Sequence, residues 1–188
     1  MKLKELKKYL EDYTEFSKGD MTKEILLDIR DTNIDMVDFS PYDLNNSAFL
    51  GVTFNNCSFD NVYLDGSNFG GSIFKRCKFC GNSLKKADWG YIYMIQTHVK
   101  DMDAFRTEFF DINLEDCTFY NCAFNRCIIC NKKDTRIKNT VFKSCVFEST
   151  NLKDCDYEST VFDSCIFKNA MIGDIQNYGA TMINCNEI

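Results

Sequence analysis

Large apolar side chains return at every fifth position of the chain. In the stretch 47–79, SAFLG VTFNN CSFDN VYLDG SNFGG SIFKR CKF, the recurring residues include Phe54, Phe59, Phe69, Phe74 and Phe79. A small residue often stands two places earlier, as at Ser47, Cys57, Ser67, Ser72 and Cys77. A period of five matches neither the 3.6 of a helix nor the 2 of a strand. The register runs unbroken from Ile34 through Phe39, Trp89, Phe109, Phe119 and Phe124 to Ile129. After 130–136 it resumes with an offset of three residues, from Ile137 through Phe142, Phe147, Phe162 and Phe167 to Ile172. The remaining positions are mostly Asn, Asp, Lys, Ser and Gly.

Residues twenty apart resemble one another. Leu44, Leu64 and Leu84 form one such set, and Phe39, Phe59 and Phe79, followed by Val99 and Phe119, form another. Cys145, Cys165 and Cys185 form a third, and Cys122 joins it once the three extra residues near 130 are allowed for. Repetition at two nested periods is the signature of a repeat architecture.

The pattern of a small residue, a polar one, Phe or Leu, then two polar residues resembles the pentapeptide-repeat family over residues 30–172. The resemblance implies an all-β chain: a right-handed quadrilateral parallel β-helix in which each unit is one wall and four units make one coil. The fourteen rings named above as register centres, from Phe39 to Phe167, would then point inward, beside small corner residues. Coils stacked as parallel strands lie about 4.8 Å apart, so about seven coils would build a rod roughly 34 Å long.

Leu3, Leu6, Leu10, Tyr13 and Phe16 recur at helical spacing, with Lys and Glu between them. Residues 1–29 are therefore expected to form an N-terminal helical cap, with Asp20 capping a second short helix through EILLDI. Residues 30–188 are expected to form the β-helix, interrupted by a short loop at 130–136. The last stretch, GDIQNYGATMINCNEI, keeps only a faint period. It reads as a frayed final coil or as an end covered by another copy, and the resemblance implies a homodimer through that end.

Composition narrows the chemistry. The net charge is −6 and no apolar run approaches the length of a membrane span, so neither direct nucleic-acid binding nor membrane association is expected. The charged start carries no export signal, which points to a cytoplasmic protein with its eleven cysteines as free thiols. Two CxxC pairs, Cys77–Cys80 and Cys127–Cys130, have the spacing of a metal or redox motif. The register turns one member of each pair inward and the other outward, so no metal and no cofactor are expected. His98 is predicted to face outward, without a nucleophile beside it. A tube filled by rings leaves no pocket for a small-molecule substrate, so no enzyme is expected.

Binding by the outer surface remains. The coil around 90–108 is irregular, with small centres at Val99 and Ala104 and large corners at Ile92 and Met102. If the register holds, Tyr91, Tyr93, Ile95, Phe105 and Phe110 project outward as a candidate protein-contact surface, or else compensate locally for poor packing. An interaction scaffold for an unidentified protein partner is one reading. The other comes from the resemblance, whose quinolone-resistance members act as acidic DNA mimics that bind a type II topoisomerase. Asp154, Asp156, Glu158 and Asp163 are the candidate mimic face. Basic clusters at 75–86 and 132–138 depart from that pattern.

Overall fold

The computed structural model describes residues 2–19, 25–129 and 135–188. Asp20, Cys130 and most of the predicted loop lie outside the described residues. The fold is a parallel β-solenoid of about eight turns, preceded by a single helix, α1 (Leu3–Ser17).

Four walls follow one another around each coil. Wall one begins with Asp28–Arg30 on Ala48–Leu50 and continues as single bridges at Asn68, Asp88, Glu108, Ile128, Asn151 and Met171. Wall two is a six-stranded sheet from Asn33–Asp35 to Arg136–Lys138. Wall three is seven-stranded, from Ser58–Asp60 to Ala180–Ile183. Wall four holds five strands, from Asp103–Phe105 to Asn186–Glu187. Partners such as Phe54 and Phe74 are twenty residues apart, whereas Leu114 pairs with Ile137 and Phe119 with Phe142 across the three-residue insertion.

Each short strand has one buried centre between two more exposed neighbours, which is why five residues make a wall. The rings stack coil upon coil. Phe39, Phe59 and Phe79 have centroids 4.6 and 4.5 Å apart, and Phe119, Phe142 and Phe162 continue the column at 4.9 and 5.0 Å. All fourteen predicted rings are buried. Between the two stacks Val99 breaks the column, and an apolar cavity of about 20 Å³ lies beside it, next to Met94. The oversized corners Ile92 and Met102 are buried there and take up part of the space.

The corners need two things. The residue after most walls adopts positive φ, for example Asn46 (55°), Asn61 (57°) and Asn121 (53°). That conformation costs about 1–2 kcal/mol for most residues and less for Asn, Asp and Gly, which explains the polar composition. The small inward residue is also a donor. The hydroxyl of Ser72 donates to the Phe49 carbonyl at 2.7 Å, and the thiols of Cys57 and Cys77 donate to Ile34 and Phe54 at 3.5 Å. Cysteines at corners are therefore more than fillers.

The ends differ from the sequence reading in two respects. Among the described residues of EILLDI there is no second helix: Asp28–Arg30 is a strand with Ile29 buried, and Leu27 is buried just before it. Its apolar residues line the start of the first coil rather than one face of a helix. At the other end, Ile175 and Ala180 take buried inward positions and Ala180–Ile183 pairs with Thr160–Asp163, adding a coil beyond the last clear centre. Cys155 is disulfide-bonded, which corrects the expectation that all the cysteines are free thiols.

Helix α1 buries Leu6, Leu10 and Tyr13, and the Tyr13 hydroxyl donates to the Asn45 carbonyl. Among the described residues no helix is long and apolar enough to cross a membrane.

Candidate interaction surface

The wall of every outward residue follows from its position in the twenty-residue coil. By that rule the predicted aromatic set is divided. Phe110 belongs to wall one, Tyr91 to the edge between walls one and two, Tyr93 and Ile95 to wall two, and Phe105 to wall four, the opposite side from wall two.

Only Tyr91 and Phe110 meet, edge to face at 5.0 Å. Phe110 lies over Gly90, where an added Cβ would come within 2.9 Å of its ring. One coil below, a Cβ at Gly70 would meet Asn68 at 3.1 Å and Leu50 at 3.7 Å. The two glycines thus make a smooth strip between Leu50 and Phe110, and Tyr91, 56% exposed, stands at its edge. Tyr93 is held in place by its hydroxyl, which donates to Glu115 at 2.5 Å. It lines a groove of about 450 Å³ on wall two together with Arg136, Lys138, Asp156 and Glu158. Phe105 is covered on one side by the Arg106 guanidinium, 5.2 Å from the ring centre.

The acidic set is also spread out. Asp154 is on the corner between walls one and two, Asp156 and Glu158 are on wall two, and Asp163 is on wall three. Two of them are paired with lysines of the preceding coil: Glu158 with Lys138 at 3.1 Å and Asp163 with Lys143 at 3.2 Å. Hydrogen bonds from Ser164 and then Lys143 hold the Asp163 carboxyl below the usual range. Similar cross-coil pairs join Lys78 to Asp60 at 2.6 Å and Lys168 to Glu148 at 2.8 Å.

The basic stretch 75–86 breaks up in the same manner. Lys75 is on wall two, Lys78 on wall three and Lys85 on wall four. Sequence clustering therefore misplaced the charge. The cations that do line up are Lys86, Arg106 and Arg126, twenty residues apart, on the edge between walls four and one. Their signal was present at the coil period and hidden at short range.

The Cys77–Cys80 pair does not converge, and Cys130 of the other CxxC pair lies outside the described residues. Cys77 is buried, while Cys80 is a half-buried outer residue of wall three. The Cys127 thiol is buried and donates to the Ala104 carbonyl at 3.4 Å, and burial pushes its pKa up to about 11. Burial also pushes Cys117 to about 11, so both stay protonated and unreactive near neutral pH. His98 is exposed, with Nδ1 2.7 Å from the Thr118 hydroxyl.

Comparison with known proteins agrees with this architecture. The family model for Pentapeptide repeats (8 copies) matches residues 57–88. Comparison with curated proteins gives no match. HetL, a pentapeptide repeat protein involved in heterocyst differentiation regulation from the cyanobacterium Nostoc sp. strain PCC 7120, is 10% identical, with 99% of this chain and 94% of that chain covered and a TM-score of 0.45. Full-length QnrB1, a plasmid-mediated fluoroquinolone resistance protein, is 12% identical over 85% of this chain and 92% of its own, with a TM-score of 0.28. The segment 57–88 carries pentapeptide repeats, and the same five-residue wall continues on both sides of it.

Proposed function

We propose that this protein is a cytoplasmic, non-enzymatic scaffold that binds a protein partner through its outer surface. The contact lies on wall one between residues 86 and 111. The observation that supports it is the Tyr91–Phe110 pair, set beside a glycine strip and flanked by both signs of charge. Apolar rings ringed by mixed charge suit a protein surface better than a nucleic acid. The interior offers no rival site, because stacked rings fill it. Exposed Tyr178, Ile183 and Ile188 at the final coil support a second copy docking there.

A second reading makes the rod a DNA mimic in the basic groove of a type II topoisomerase. What favours it is an anionic edge between walls one and two, where Asp31, Asp111, Asp154 and Asp174 recur at the coil period. A gyrase supercoiling assay with titrated protein, with and without a quinolone, decides between the readings. The scaffold reading expects no effect at micromolar protein. Inhibition that is lost when Asp154 and Asp156 become Asn would replace it with the mimic.

A further inference from the structure

Four lysines on this rod are held in inter-coil pairs, whereas Lys75, Lys85, Arg136 and Lys153 stand singly with no ion pair among the described residues. Lys78, Lys138, Lys143 and Lys168 each face a carboxylate one coil away. The edge between walls four and one is where cations without an ion pair line up. Lys86, Arg106 and Arg126 follow one another there in three consecutive coils, with no ion pair to any of them among the described residues. Rungs about 4.8 Å apart place three like charges along about 10 Å.

The backbone makes this arrangement costlier still. All three adopt positive φ (57°, 54° and 56°), in the left-handed region that long side chains rarely occupy. Asn stands at the same edge in the first coil, at Asn46, and in a late one, at Asn169, with φ of 55° and 49°. Asn would relieve both the strain and the repulsion. Three coils in a row retain cations instead, with no ion pair among the described residues, and only the Arg106 guanidinium has a ring contact, over Phe105. The corner needs the positive φ but not the charge, and three aligned cations where Asn also fits point to a role in binding.

We infer that this cationic edge receives a short acidic polypeptide segment of the partner. The inference rests on the scaffold reading and names the chemistry of its partner. Phe105, on the wall-four side, and Phe110, on the wall-one side, flank the edge and can take apolar residues of such a segment. A nucleic-acid strand fits less well. Three cations span too few phosphates, Asp88 and Glu108 lie just beyond the edge on wall one, and the chain carries a net charge of −6.

The test uses the full chain and a fluorescein-labelled octaglutamate peptide, followed by anisotropy at low salt. Wild type is expected to bind the peptide, and added salt to weaken the complex. The triple variant Lys86→Asn, Arg106→Asn, Arg126→Asn is expected to weaken it at least tenfold while melting at or above the wild-type temperature. Arg76→Asn, at another corner, should leave affinity within twofold, and the single Arg126→Asn guards against misfolding of the triple variant. Unchanged affinity in the triple variant, or a fall in its melting temperature, would overturn the assignment. So would tighter binding of single-stranded oligodeoxynucleotide than of octaglutamate. A scaffold that binds elsewhere would still be revealed by crosslinking from Tyr91, so failure of this inference and failure of the scaffold reading are separable.

Discussion

Walls one and three are alike inside and unlike outside. Wall one is lined within by Phe49, Phe69, Trp89 and Phe109, and wall three by Phe39, Phe59, Phe79 and Phe119, all buried. Outside, wall three carries Lys78–Asp60 and Lys143–Asp163 pairs between coils and leaves little charge uncommitted. Wall one carries glycines, an aromatic pair and a bordering row of unpaired cations. The interior repeat sets the shape of both walls. Only the outer positions, which the fold hardly constrains, can differ in role.

The largest expected effects test the shared interior. Phe69→Ala and Phe59→Ala should each cost about 3–5 kcal/mol in denaturant unfolding, because each leaves a ring-sized hole in a stack. A wall-dependent difference of several kcal/mol would show that the two walls are not equivalent inside.

Alkaline pH should act next, through the corner thiols common to several walls. Burial raises Cys117 and Cys127 to about 11, and contact with Cys122 together with burial raises Cys145 to about 12. A raised folded-state pKa means that the native state holds its proton more tightly than the unfolded chain does. The stabilisation is complete below the unfolded value of about 8.5 and is lost as pH climbs toward 11 and 12. Melting temperature followed across that window should fall, and Cys117→Ser should blunt the fall. A flat profile would contradict the burial assigned to these thiols.

The smallest effect belongs to the exposed pairs of wall three. Asp163→Asn should scarcely move stability or partner binding, since solvent-exposed pairs contribute little.

The period of five, the twenty-residue coil and the three-residue insertion were legible because the inward side chains carry them without interruption. Outer placement was less legible. Neighbours in sequence such as Ile95 and Phe105 land on opposite walls, while Lys86, Arg106 and Arg126 share one edge. Sequence proximity predicts a surface poorly on a rod whose chain turns four corners per coil. EILLDI misled for a related reason, since its apolar run suits a helix face and a coil interior equally well. The Cys155 disulfide was not legible either, because Cys155 occupies a small corner position just as the free thiols do.

The account's central claim is that wall one carries recognition and wall three does not. It is tested most directly by a photo-crosslinking residue placed in the cell at Tyr91 on the edge of wall one or at Tyr120 on wall three, both exposed. The account predicts one discrete crosslinked protein from position 91 and none from position 120. Equal crosslinking from both positions, or crosslinking from position 120 alone, would contradict it.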